Sequence, residues 1–213
     1  TLFRSGVFID TKLSFDKHVT EICRKASAQL SVLIRFKRIL DVPAKLSIVK
    51  TFILPYFRYC SIIYHFCSCQ NMKKMENLLE RSLRFVYADL DSSYQQLLDK
   101  SSLVSLDVER KRAIVTEAFK IKHEIAPKYL NSLIKCRNSS YGTRQSLNFE
   151  LPKYSKVTYG KYSLKFMIPY LWNDLPFKTK FLTEKGEFKS ALKTWMGPVC
   201  RCNICKFQES MNR

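Results

Sequence analysis

The chain of 213 residues and 25.0 kDa has room for one or two ordinary domains with a sizeable core, and its 46% hydrophobic content excludes a disordered chain. Thirty-seven Lys+Arg against 18 Asp+Glu leave a net charge of +19, a surplus that favours a polyanionic partner and argues against an enzyme for small cationic substrates. The most apolar stretch, residues 46–67, is interrupted by Lys50, Pro55 and Arg58 and falls short of the roughly 18–20 uncharged residues of a membrane span. Thr1-Leu2-Phe3-Arg4 does not begin a secretory signal, so an intracellular chain with reduced thiols is expected, and the missing initiator Met predicts a piece of something longer.

In chain order, residues 3–9, ending Gly6-Val7-Phe8-Ile9, read as a short strand closed by Asp10-Thr11-Lys12. Ser14 and Asp16 are candidate N-caps for a helix running to about Leu40. Its apolar positions Val19, Ile22, Cys23, Ala26, Leu30, Leu33 and Ile34 keep the three-and-four spacing of one buried face. Asp41-Val42-Pro43 breaks it, and Pro43 suits the first turn of a second helix that bends at Pro55 and continues to Phe66. A third helix follows Asn71 and ends near Tyr87, a short fourth covers 93–99, and a fifth spans about Leu106 to Glu124 with Ile114, Ala118, Phe119 and Ile121 inward. Pro127 stops it, setting a boundary near residue 126. Residues 138–160 read as loop with two short strands, followed by helices around 163–173 and 184–196 and a cysteine-rich tail. The fold class predicted is mainly α, with a short N-terminal strand and a smaller mixed C-terminal region.

On the first helix Lys17, Arg24, Ser31, Arg35 and Arg38 fall in one stripe opposite the apolar face, with Ala28 beside it. The third helix repeats the pattern with Lys74, Asn77, Arg81 and Arg84. A single such stripe describes the solvated side of any amphipathic helix. Two in a chain of +19 point to phosphate binding, which needs cations and little base-specific geometry. A membrane fits less well, because no basic face is paired with exposed Trp or Phe.

Cys200, Cys202 and Cys205 form a C-x-C-x-x-C cluster, three of the four ligands zinc prefers. The fourth would come from Cys136, Cys67, Cys69 or His65, from solvent, or from outside the chain; spare thiols in a tail are the competing reading. Cys23 and Cys60 read as small core residues, and His18 and His123 as helix residues facing solvent. Asp89-Leu90-Asp91 followed by Ser92-Ser93 reads as a turn and N-cap rather than a paired-carboxylate site. No phosphate-cradling glycine loop is present.

The order of motifs resembles the C-terminal part of jockey-like non-LTR retrotransposon reverse transcriptases. Gly6-Val7-Phe8-Ile9-Asp10 with Leu13-Ser14-Phe15 and His18-Val19 is similar to the family's "LGV-x-ID … L-x-F-x-x-HI" segment, with Ser5 where the family usually has Leu. Ile22 to Ser27 and Leu30 then match the helix that follows. Phe52-Ile53-Leu54-Pro55-Tyr56-Phe57-Arg58-Tyr59-Cys60-Ser61 is similar to "F-I-x-P-x-F-x-Y-C-S", and Leu79-Glu80-Arg81-Ser82-Leu83-Arg84 to "x-E-R-A-L-R". Tyr159-Gly160-Lys161-Tyr162-Ser163, Leu171-Trp172-Asn173-Asp174-Leu175-Pro176, Phe188-Lys189 through Trp195 and the Cys200 cluster complete the pattern.

The resemblance implies residues 1–14 as the last of a polymerase palm, 15–125 as a helical thumb that grips template–primer, and 126–213 as the family's C-terminal region. It implies RNA or RNA–DNA duplex as partner, together with the palm and fingers of a parent RNA-directed DNA polymerase. The parent's Mg²⁺ would sit on a Tyr/Phe-x-Asp-Asp turn that this sequence lacks, so the chain alone is expected to be non-catalytic. Two rival classes stand beside this: a structural or protein-interaction module (or decayed element product), and a zinc-binding domain. Residues 101–213 hold 21 Lys+Arg against nine Asp+Glu, +12 of the +19, in the region where the resemblance says least.

Overall fold

The computed structural model describes residues 6–137 and 147–198, and the fold is mainly α. The chain packs as two units, Thr1–Arg110 and Lys111–Arg213. The division falls inside a helix, earlier than Pro127 suggested. No helix among the described residues is long and apolar enough to cross a membrane.

Of the strand expected over residues 3–9, residues 3–5 lie outside the described residues. Residues 7–9 form no ladder among the described residues, and it is a ladder partner for its N–H and C=O groups that makes an extended segment a strand. Gly6, at φ +70, takes the left-handed conformation that a Cβ would strain, and a Cβ there would lie 3.5 Å from the Tyr59 ring. Helix α1, Asp16–Arg35, starts after Phe15, itself left-handed at φ 58 with no side-chain cap. Neither Ser14 nor Asp16 is the N-cap. Instead the Asp10 carboxylate accepts from the backbone N–H groups of Lys12, Ser14 and Phe15 at 3.0, 3.0 and 2.8 Å and from Ser14 Oγ at 3.1 Å. These bonds, that of the Ser14 N–H foremost, hold the Asp10 carboxyl below its usual range.

Val19, Ile22, Ala26 and Leu30 are buried as the periodicity required. The helix ends at Arg35, short of Leu40, because the apolar face ends with it: Phe36 and Ile39 are 46% and 78% exposed. A helix draws most of its stability from packing one face, so the chain turns there. Asp41 caps α2, Val42–Ile48, by accepting from the Ala44 N–H at 2.9 Å, with Pro43 in the first turn. Pro55 has no N–H to donate, and the preceding turn, Val49–Ile53, widens into a π-turn before α3, Leu54–Arg58. The expected continuation to Phe66 is a series of turns, because Tyr59 is extended and Cys60 left-handed at φ 51.

Ser68 caps α4, Cys69–Tyr87, and Ser93 with Gln96 forms a capping box on α5, Tyr94–Ser101. Met75, Leu79, Leu83 and Val86 of α4 join the α1 residues, Val49, Ile53, Phe57, Tyr64, Leu97 and Leu98 in one core. Asn71 Nδ2 donates to the Asp16 carboxylate, so α1 and α4 start from the same end of the bundle. Helix α6, Leu106–Lys122, follows. Glu76 ties its start to α4 by accepting from the Asp107 N–H at 3.0 Å and from the Tyr94 hydroxyl. Arg58 forks onto Glu109 at 2.6 and 2.9 Å.

The second unit contains a 3₁₀ turn, Lys128–Leu133, a π-turn, Val157–Lys161, and helices α7, Leu164–Asp174, α8, Phe177–Lys180, and α9, Lys185–Ala191. The one trace of β structure among its described residues is an antiparallel bridge of Cys136 with Phe149. Its core is an aromatic column: Phe149 on Trp172, Trp172 on Phe188 and Phe188 on Phe119, with centroids 5.0, 5.9 and 4.3 Å apart.

The Trp172-Asn173-Asp174 run holds this unit together. Trp172 Nε1 donates to the Leu147 carbonyl at 3.0 Å. The Asn173 amide accepts from the Phe149 N–H and donates to the Phe149 carbonyl, both at 2.9 Å, and Asp174 accepts from Trp195 Nε1 at 3.0 Å.

Candidate nucleic-acid interface

The two basic stripes survive folding unequally. Because α1 and α4 bury one side each in the same core, their opposite sides face solvent, and Lys17, Arg24, Arg35, Arg38, Lys74 and Arg81 are exposed. Ala28 and Ser31, exposed within the α1 stripe, leave room for a phosphate backbone to approach.

Arg24 is not a bare cation. It forks onto Glu21 through Nε at 2.9 Å and Nη2 at 2.8 Å, and Lys25 lies 3.7 Å from the same carboxylate. The Arg24 hydrogen bonds hold the Glu21 carboxyl down to about 2, so it stays charged at any physiological pH. Arg38 lies beyond the end of α1 in a turn, off the helical register that grouped it with Arg35.

Arg84 is only half exposed, and its guanidinium is committed inside the chain. It donates to Glu80 at 2.7 Å and to the carbonyls of Asp89 and Leu90 at 3.3 and 2.8 Å, pinning the turn that follows α4. Lys17 sits 5.3 Å from the Phe8 ring centroid. Lys17, Arg35, Arg38, Lys74 and Arg81 make no ion pair with a described residue. Of the two stripes, these five cations remain available to a ligand.

Asp89 is the turn-former that its context suggested, accepting from the Ser92 N–H at 2.9 Å and Lys100 Nζ at 2.6 Å. The histidines differ from expectation. His18 is 2% exposed, its ring 5.1 Å from that of Tyr64, and neither nitrogen has a partner among the described residues. Its place on the core side of α1, next to Val19, was the signal that could have located it. His123 is half-buried against the Phe119 ring at 4.3 Å.

Cys200, Cys202 and Cys205 lie outside the described residues, and among those described no group of His, Cys, Asp and Glu could hold a metal ion. Of the thiols offered as a fourth ligand, Cys67 is buried, with burial pushing its pKa up to about 11, Cys69 is half-buried and Cys136 is exposed. Cys23 and Cys60, read as core residues, are half-buried, with Cys23 packed on the core.

Part of the positive charge of the second unit works internally. Lys111 Nζ donates to the Pro198 carbonyl at 2.9 Å; Arg112 donates to those of Trp195 and Lys193 at 2.9 and 2.8 Å. Lys122 Nζ donates to the Lys180 carbonyl at 3.0 Å and lies 5.0 Å from the Trp172 ring centroid. Lys180 donates to the Asn173 carbonyl and to Asn148 Oδ1 at 2.9 and 3.0 Å. Burial lowers the pKa of both Lys122 and Lys180. Composition cannot separate such carbonyl-binding lysines from ligand-binding ones. Comparison with known proteins finds no matching family model, curated protein or solved structure.

Proposed function

We propose that this chain grips template–primer nucleic acid, RNA or RNA–DNA duplex, without regard to sequence, as the thumb-like part of a jockey-like reverse transcriptase, and has no polymerase activity alone. One observation carries the reading: α1 and α4 start from the same end of one bundle and turn Lys17, Arg35, Lys74 and Arg81 to solvent with no described carboxylate paired to them. Point charges on rigid helices suit a phosphate backbone, which needs positioning rather than base readout. The motif residues support a scaffold for that face: Asp10 organises the entry to α1, and Ile53 and Phe57 are part of the core beneath it.

Fluorescence anisotropy with an RNA–DNA hybrid tests this. Log affinity should fall linearly with log salt, and Arg35→Glu with Arg81→Glu should weaken all sequences alike and reduce the salt slope by about one per cation removed. Arg24→Glu should matter less, because Glu21 already neutralises that guanidinium. A flat salt dependence sinks the proposal. Primer extension by the chain alone should be undetectable.

A further inference from the structure

The second unit carries an exposed aromatic ladder. The Tyr154 ring meets Phe166 edge-on with centroids 5.1 Å apart, and Phe166 stacks on Tyr170 at 5.9 Å and 17°. Phe166 and Tyr170 are one turn apart on α7. Tyr154 reaches them only because the chain doubles back through the π-turn Val157–Lys161, a feature that often marks functional segments.

That turn is built closely on Tyr154. A Cβ on Gly160 would lie 2.4 Å from the Tyr154 Cβ, so only glycine lets the turn sit there. Ser163 Oγ donates to the Gly160 carbonyl at 2.6 Å and closes it. Yet the outer rings are not covered: Tyr154 is 44% exposed and Tyr170 41%. Between Leu151 and Asn173 the chain has four lysines, Lys153, Lys156, Lys161 and Lys165, all exposed, and no Asp or Glu.

We infer that this ladder is a stacking platform for single-stranded nucleic acid, with bases laid on Tyr154 and Tyr170 and phosphates neutralised by the surrounding lysines. Every base has a π-face, so such a surface is sequence-tolerant, and a field of lysines without carboxylates matches a polyphosphate chain. A duplex keeps its bases stacked on one another and cannot use the rings. A proline-rich peptide would use the rings but has no need of the lysines. The inference goes beyond the duplex grip of the first unit and does not rest on it.

The test uses the full chain and labelled strands of equal length: oligo-dT, oligo-rU, an abasic strand and a blunt duplex. Oligo-dT and oligo-rU should bind more tightly than the abasic strand, and their ratio shows whether the platform prefers DNA or RNA. Tyr154→Ala with Tyr170→Ala should weaken dT binding by roughly thirtyfold or more and leave duplex binding unchanged, while Phe at both positions retains it. Gly160→Ala, which displaces Tyr154 without removing a ring or charge, should weaken it too. The inference is overturned if the abasic strand binds as well as dT to the unmodified chain, a result that needs no variant to fold. It is equally overturned if the double Ala change lowers dT and duplex affinity alike. Loss of duplex binding in Arg35→Glu with Arg81→Glu, with dT binding kept, would separate the two surfaces.

Discussion

His18 is buried against Tyr64 without a described hydrogen-bond partner, and burial, reinforced by the charge of Lys25, holds its pKa below the ordinary 6.5. The unfolded chain therefore takes up a proton near pH 6.5 while the native one resists, so stability must fall as pH drops from about 6.5 towards the native pKa. The slope from one such group is at most about 1.4 kcal/mol per pH unit. His123, lowered by burial and then by Lys122, adds a share of the same sign. Urea unfolding of His18→Leu between pH 7.5 and 5.5 should lose part of this acid sensitivity; an unchanged profile would mean that folding leaves the imidazole's pKa where it stands in the unfolded chain. Arg110 raises a sharper question at the same scale. It is 1% exposed, none of its three guanidinium nitrogens has a described acceptor, and its charge is felt by Tyr64 and Cys67. A buried charge without a partner costs several kcal/mol, and replacing such groups by apolar ones of similar volume is often stabilising by about 1–4 kcal/mol. Arg110→Met should accordingly raise the urea midpoint, whereas a clear loss of stability would show that the guanidinium is solvated or bound in solution.

Helices of the first unit were legible where capping and periodicity agree. Ser93 caps α5 at the start expected for it, and the core positions Val19, Ile22, Ala26 and Leu30 of α1 follow the three-and-four spacing. Helix α4, by contrast, starts at Cys69 on its Ser68 cap, earlier than the start after Asn71 that the sequence suggested. What escaped were features set by distant partners. Residues 7–9 have strand-forming composition but no ladder to join among the described residues, and the end of α1 depends on where burial stops rather than on a breaker. Arg84 lies one turn from Arg81 and cannot be told from it in sequence, though its guanidinium is committed to Glu80 and to the turn after α4. The Trp172-Asn173-Asp174 motif was visible as a motif and not as a latch, because its partners Leu147, Phe149 and Trp195 are remote along the chain. This latch gives the element-scale prediction. Asn173→Ala removes both amide bonds to the Phe149 backbone and leaves that N–H and C=O half-buried and unpaired. The cost should be about 2 kcal/mol, read as a lower denaturation midpoint. Asp174→Ala, which frees only the Trp195 indole, should cost about half as much.

A net charge of +19 acts on the whole molecule in two opposed ways. Self-repulsion lowers the stability of the compact state, and the same field draws in a polyanion. Internal carbonyl contacts absorb part of the excess, as at Lys111, Arg112, Lys122 and Lys180, but they do not cancel charge; only carboxylates do, and those are outnumbered two to one. Salt screens exposed charges over about 10 Å at 0.1 M, so raising it from about 0.05 to 0.3 M should raise Tm while weakening nucleic-acid binding. Each kcal/mol of relieved repulsion corresponds to about 2–4 °C in a chain of this size. Over the same range the log–log slope of affinity should approach minus four to five, roughly 0.9 for each of the five available cations Lys17, Arg35, Arg38, Lys74 and Arg81. Differential scanning fluorimetry and anisotropy on one preparation read both. A Tm that falls with salt would mean that exposed pairs such as Arg58–Glu109 outweigh the excess charge, and the available cations would then be too dilute on the surface to hold a backbone of phosphates.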